Sequence, residues 1–440
     1  MTLPTDAQPL PNDSVYIGIF DRNAEFRAKK VSYRSYRHLL DSGYHFCNVL
    51  YNWDAAERPY SGGSFPDLPA AIDPASLRLH PFFDNAYVCL ADFTGSYGEQ
   101  AARNQLVRQI AKAGEMGLDS HAAFEFEFMV LDETPDSIRA KGYRNLSHFA
   151  PANRTYSMQS SMLYDELFTE FQRTLGRSGI DFYAVHSELG PGTFEVPLAH
   201  APSLKAADDA ALFKTFAKAF FLRQDKMATF LAKFSENYSG QSGHLHLSLR
   251  DRGTGKSRIV ADDDPEKLSD TARWFVGGLV RLLPETLVLC CHTVNSYKRL
   301  VPGAWAPTSA TWGMQDRTAA VRIINDDPAS ARIEFRVPAA DTNPHAALAL
   351  LLGAGLWGIE NRIEPGPTNV EGQDSRQQRP QSVFPSNLRD AVERLDRSVH
   401  ARTIFGDIFV DSFVKSQLME VLAYERHVTG WERERYLDIC

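Results

Sequence analysis

Three short stretches alternate charged and apolar residues: FEFEF at 124–128, HLHLSL at 244–249 and RIEFR at 332–336. A period of two marks a β-strand with two unlike faces. Glu125 and Glu127 therefore point away from Phe124, Phe126 and Phe128. The same parity puts His244, His246 and Ser248 on one face of a second strand, and Arg332, Glu334 and Arg336 on one face of a third. The wet side of an ordinary half-exposed sheet mixes Lys, Thr and Ser, whereas here it is built almost wholly of Glu, His and Arg. Such a set suits a site that binds divalent cations and transfers a phosphoryl group.

Five carboxylates, Glu125, Glu127, Glu188, Glu195 and Glu334, lie in segments otherwise rich in Phe, Val, Ile, Leu, Pro and Gly. Ionised carboxylates in such surroundings must be paired, protonated or bound to cations. Glu188 and Glu195 bracket Gly190-Pro191-Gly192, a turn that returns the chain so that both face one point. Oxygen donors suit Mg²⁺ or Mn²⁺, and one imidazole from His244 leans toward tolerance of Mn²⁺. Salt bridges to Arg332 and Arg336 are the alternative, which explains one such Glu more easily than five. Arg299, Arg317, Arg322, Arg332 and Arg336 supply guanidinium groups of the kind that bind phosphate or carboxylate with two hydrogen bonds. No P-loop pattern occurs, so an ATP site here would be built from metal ions and arginines.

The elements that must position these residues are legible in outline. VYIGIF at 15–20, HFCNVLY at 45–51 and AYVCLADF at 86–93 read as strands of a small N-terminal sheet domain, residues 1–105. Residues 106–440 read as a mixed α+β domain, with helices around Ser160–Gly176, Leu204–Phe234, Asp264–Leu283 and Pro344–Asn361. Pro365–Pro385 reads as a surface loop, with helical segments after it. A chain of 440 residues exceeds one typical core. Its net charge of −8 argues against a nucleic-acid partner held by a basic surface. Small molecules are the expected partners. Cys47, Cys89, Cys290, Cys291 and Cys440 have no metal-ligand spacing, which points to a reducing cytoplasm. The start has neither a basic nor an apolar signal region, and the apolar run Ala346–Ile359 is too short to cross a bilayer.

Taken in order, FEFEF, SELGPGTFEVP, SGQSGHLHLSL, NSYKRLVPGAWAP, WGMQDRTAAVRI and RIEFRVPAADTNPHAALALLLGAGL resemble the glutamine synthetase superfamily over residues 15–437. The resemblance implies an N-terminal β-grasp domain and a catalytic domain with a curved antiparallel sheet flanked by helices. It also implies a homo-oligomer, two stacked hexameric rings with active sites between neighbouring subunits. Glu127, Glu188 and Glu195 resemble ligands of the metal on the glutamate side, and Glu125, His244 and Glu334 those of the metal on the ATP phosphates. Arg299, Arg336 and the backbone of Gly240 match glutamate-binding positions. Arg317, Arg322, Arg332 and His246 match positions near the phosphates, and Ser248 lies where the nucleotide binds. Arg299, Arg317 and Glu334 are the implied catalytic groups, acting through γ-glutamyl phosphate.

One departure bears on the substrate. Enzymes of this family that use ammonium carry a Glu in a flap reading PGxEAP, where this chain has Trp305 in PGAWAP. An indole cannot accept a proton. The Asp-Gly-Ser-Ser segment that usually brings a second ammonium-binding acid from the neighbouring subunit is also missing; Asp54 and Asp67 are the nearest acids. The expected acceptor is therefore an organic amine and the product a γ-glutamylamide. An alkylamine would arrive as a cation attracted to the indole face, whereas an arylamine would arrive neutral and stack on it. An ammonium-using enzyme with a different acid, or a non-catalytic relative, are the alternatives.

Overall fold

The computed structural model describes residues 9–60, 62–261, 264, 267–368 and 383–440. Most of the expected loop Pro365–Pro385 lies outside the described residues.

The N-terminal sheet has the order β2-β1-β5-β4-β3, from β1 (Ser14–Phe20), β2 (Phe26–Ser32), β3 (Tyr44–Cys47), β4 (Asp67–Leu79) and β5 (Ala86–Phe93). β1 and β5 run parallel and the other pairs antiparallel. Helix α1 (Tyr33–Ser42) starts where the Ser32 hydroxyl accepts the Ser35 N–H at 3.1 Å. β5 is apolar on both faces because it serves two cores. Cys89 and Ala91 pack in the core of this sheet, while Val88 and Leu90 join the larger core. The expected strand 45–51 stops at Cys47, and Asn48–Tyr51 form a 3₁₀ turn. That turn is anchored by the Tyr51 hydroxyl, which donates to the Phe20 carbonyl at 2.8 Å.

Short helix α2 (Gly95–Gly98) and α3 (Ala102–Glu115) lead into a nine-stranded sheet of order β12-β13-β14-β11-β6-β8-β7, with β9 and β10 also pairing along β6. Its strands are β6 (Leu118–Leu131), β7 (His186–Ser187), β8 (Thr193–Pro197), β9 (Ala201–Pro202), β10 (Met227–Thr229), β11 (Gly243–Asp251), β12 (Trp312–Met314), β13 (Val321–Ile324) and β14 (Arg332–Phe335). All pairs are antiparallel except β12 with β13, which run parallel.

One face of this sheet is covered by helices. Phe124, Phe126 and Phe128 are fully buried, and the rings of Phe126 and Phe213 stack 5.9 Å apart. Phe213 lies on α6 (Ser203–Leu222), which follows α4 (Pro135–Ala140) and α5 (Met158–Gly176). The expected helix to Phe234 ends at Leu222 because Asp225 turns left-handed (φ 53°) and the chain joins β6 as β10. Helix α7 (Asp270–Thr286) begins at its Ser269 cap, which accepts the Ala272 N–H at 3.0 Å, later than the expected Asp264. After α8 (Ser296–Arg299), helix α9 (Pro344–Asn361) runs through the core, started by the Asn343 side chain accepting from His345 and Ala346. Helices at Leu388–Arg397, Val399–Phe405, Asp407–Glu425 and Gly430–Tyr436 finish the chain. No helix among the described residues is long and apolar enough to cross a membrane.

Candidate active site

The strand register sets the charged residues opposite one another. His244 pairs with Glu125, Glu127 with Glu195, His246 with Glu334, Arg322 with Glu334 and His186 with Glu195. With the Phe face turned into the core, every one of these side chains projects to the open face. There they line a cavity of about 770 Å³. Its wall includes Glu125, Glu127, Glu188, Glu195, His244, His246 and Glu334, together with Arg299, Arg317, Arg322, Arg332, Arg336, Gly240 and Trp305.

Two sets of ligand atoms stand out. Glu125, His246 and Glu334 form one set, with atoms within 4.8 Å of one another, and His186, Glu188 and Glu195 form another. His244 Nδ1 also lies 3.8 Å from Glu125 and 3.6 Å from Glu334. The first set is ion-paired. His246 Nε2 is 3.0 Å from Glu125, Arg322 donates to Glu334 at 2.9 Å, and Arg336 donates to the other Glu334 oxygen. Salt bridging thus reaches Glu334 through Arg322 and Arg336, while Arg332 donates instead to His246 Nδ1 at 3.1 Å. Burial opposes ionisation of Glu125 and Glu334, yet the imidazoles, and for Glu334 also Arg336, hold both carboxyls below the usual range.

The second set has His186 3.7 Å from Glu195 and 4.0 Å from Glu188, but among the described residues no arginine donates to its carboxylates. Burial and then repulsion from Glu127, Glu125 and Glu188 push Glu195 up to about 9, and burial and Glu127 raise Glu188. A carboxyl at about 9, such as Glu195, would keep its proton at neutral pH unless a cation stood beside it. The donor set, carboxylate oxygens with one imidazole, fits Mg²⁺ or Mn²⁺. The turn that builds it is as the sequence suggested. Gly190 and Gly192 take φ of 113° and 67°, and the Glu188 N–H meets the Thr193 carbonyl at 2.9 Å. A Cβ at Gly192 would press within 2.5 Å of the Val130 carbonyl oxygen, so glycine is required there.

The arginines are held from behind. Arg299 is buried, donating to the carbonyls of Val337 at 2.9 Å and Arg336 at 3.3 Å. A Cβ at Gly240 would sit 2.5 Å from Arg299 Cγ. Glu127 accepts the Ser242 N–H at 2.7 Å, tying the acidic strand to this loop. Ser248 lies in an adjoining cavity of about 450 Å³ with Tyr183, His200 and Arg250. The two cavities share Glu125, Pro197, His246 and Arg332.

Asp54 and Asp67 are not brought to the cavity. Asp54 caps its own turn, accepting from Ala56 and Arg58 at 2.9 Å each, and Asp67 pairs with Cys47 in the N-terminal sheet. Within one chain, therefore, neither lines the amine pocket expected of it. Among the cavity residues not singled out from the sequence are His186, Tyr156 and Asp326. His186 is two residues before Glu188, a parity that could have flagged it. Tyr156 packs on His186 with ring centroids 4.8 Å apart, and its φ of 57° carries no signature in the sequence. Trp305 is 68% exposed at the cavity mouth with φ 56°.

Residues 99–436 match the family described as glutamine synthetase, catalytic domain. The type-1 glutamine synthetase 2 of Dictyostelium discoideum is 33% identical over 431 residues, 95% of this chain and 82% of that protein. The glutamate–isopropylamine ligase of a Pseudomonas species is 32% identical over 439 residues, 97% of this chain and 95% of that one. A solved structure, the GmaS/ADP complex in its conformation 1, superposes with a TM-score of 0.84 at 27% identity, covering 97% of both chains. With its motifs, its fold and these similarities in agreement, the chain belongs to the glutamine synthetase family of ATP-dependent ligases.

Proposed function

We propose that this chain joins the γ-carboxylate of glutamate to an organic primary amine, such as methylamine, isopropylamine, ethanolamine or aniline, through γ-glutamyl phosphate. The observation that carries the reading is Trp305, an exposed indole at the mouth of the acidic cavity where the family's ammonium users have a carboxylate. The glutamate–isopropylamine ligase among its relatives supports it. Glu127, Glu188 and Glu195, joined by His186, would hold one Mg²⁺ or Mn²⁺; Glu125, His244 and Glu334, bordered by His246, would hold another. Bound there, the cations would neutralise phosphate charge during transfer. Arg299, Arg336 and the Gly240 backbone would seat glutamate. Arg317, Arg322, Arg332 and His246 would grip the phosphates of ATP, with Ser248 and its cavity taking the rest of the nucleotide. We also propose the division at 1–105 and 106–440, and a cytoplasmic homo-oligomer of two hexameric rings.

The similarity to a type-1 glutamine synthetase favours a second reading, in which ammonium is the acceptor. Phosphate release with Mg²⁺, ATP and glutamate, and product mass with each amine, tests the proposal. The organic amine should appear in the product. Trp305→Glu should then raise ammonium turnover; if it raises it little and the wild type already prefers ammonium, the second reading holds. Absence of phosphate release with any amine would mark a non-catalytic relative.

A further inference from the structure

Five of the cavity's six acids belong to the two ligand groups or, like Glu127, lie beside them on β6; Asp326 stands apart. It follows β13 and is exposed. Gln315 Nε2 donates to Asp326 Oδ1 at 2.9 Å, and Gln315 Oε1 accepts from Arg322 at 3.1 Å. Arg322 in turn donates to Glu334 at 2.9 Å, so Asp326 is tied by two side chains to the centre of the site. Gln315 adopts this position with a left-handed φ of 55°, a conformation that non-glycine residues hold at a cost and that concentrates at functional sites. Asp326 Oδ2 has no hydrogen-bond partner among the described residues, and Trp305, also left-handed, lines the same cavity.

A primary alkylamine reaches neutral water as a cation, and its nitrogen has no free electron pair until a proton leaves. The indole of Trp305 can attract that cation but cannot take the proton. Under the ligase reading, on which this inference rests, the five glutamates are committed to cations. We propose that Asp326 takes the proton from the incoming amine. The N–H electron pair stays on nitrogen and the proton passes to Asp326 Oδ2. The freed pair forms the C–N bond at the γ-carbonyl carbon, and the bond to the phosphate oxygen breaks with its electrons leaving on phosphate. The second proton shed by the new amide nitrogen goes to that phosphate.

The test compares the full-length wild type with Asp326→Asn and Asp326→Glu, using methylamine and ammonium, which are cations at neutral pH, and aniline, which is not. Asp326→Asn should lower kcat with methylamine and ammonium by about 10²-fold. It should leave aniline turnover, the KM values of ATP and glutamate, and the melting temperature unchanged. Asp326→Glu should restore part of the loss, and raising the pH, which supplies free amine, should shrink it. Equal losses with aniline and methylamine, no loss at all, or a raised amine KM with kcat intact would overturn the assignment. A wild type that used ammonium alone would defeat the organic-amine reading and leave this one to be decided on ammonium, which must also lose a proton. A wild type inactive with every amine would overturn both.

Discussion

Glu125, His244 and Glu334 come from three adjacent strands and meet because the register sets His244 opposite Glu125 and Glu334 opposite the neighbouring His246, so each depends on its own strand for its aim. Glu127→Ala or Glu334→Ala should cost at least about 10²-fold in kcat, the scale of losing one preorganised charge-stabilising group. Steady-state phosphate release measures it, and near-wild-type turnover would remove that residue from the site. Glu334→Ala should also lower the melting temperature, since it leaves Arg322 and Arg336 without their shared carboxylate. The convergence of these side chains was legible because alternation alone fixes which face a strand residue takes. Asp326 and Tyr156 were not. Their positions depend on left-handed residues, Gln315 and Tyr156 itself, and on contacts made only after folding.

At the scale of elements, a buried hub joins the two sheets. Arg103 of α3 donates to Asp208 of α6 at 2.7 Å, Asp92 of β5 at 2.7 Å and Asp73 of β4 at 2.6 Å, and His345 of α9 lies 2.8 Å from Asp208. Asp208→Asn should destabilise the fold by about 3–5 kcal/mol in urea unfolding, as for other broken buried pairs. Burial opposes its ionisation, but Arg103 and His345 hold Asp208 down to about 2. Because that is below the unfolded value of about 3.9, its contribution is full above about pH 4 and is lost as pH falls toward about 2. The Asn variant should lack that acid limb.

Lys214 of α6 gives a slope of the same sign in a higher pH window, because there burial makes the charged form costly. Buried against Phe126 and Phe230 and donating to the Thr342 carbonyl at 2.8 Å, it is lowered to about 7, chiefly by burial. Between about pH 7 and the unfolded value of about 10.4 the unfolded chain holds more protons, so this group makes stability rise with pH across that window. Lys214→Met should remove that slope, and an unchanged slope would contradict the assignment. Of the elements themselves, α9 was placed to the residue because its Asn-Pro start and continuous apolar run agree. The end of α6 was missed because apolar residues resume at Met227 after the polar Arg223–Lys226 stretch, and only the pairing of β10 with β6 decides it.

At the scale of the whole molecule, the cavity is open, and the acids nearest to the missing Asp-Gly-Ser-Ser segment lie outside its lining, Asp54 in a turn of the N-terminal part and Asp67 at the start of β4. If rings of copies bring the N-terminal part to the next chain's cavity, mass measurement should find twelve chains of 49.3 kDa. Mixing unfolded and refolded Glu127→Ala with Asp67→Asn should then regain activity that neither has alone, because some shared sites inherit neither change. A monomer, or mixtures no more active than their parts, would contradict the ring. Nothing in one chain's periodicity could reveal this, since the contacts lie between copies.

The most direct measurement is competition between ammonium and a panel of alkyl, hydroxyalkyl, polyamine and aryl amines at saturating ATP, glutamate and Mg²⁺, read as relative kcat/KM from the product ratio. At least one organic amine should outcompete ammonium decisively and appear as its γ-glutamylamide. Ammonium turning over as efficiently as every organic amine in the panel would contradict that result.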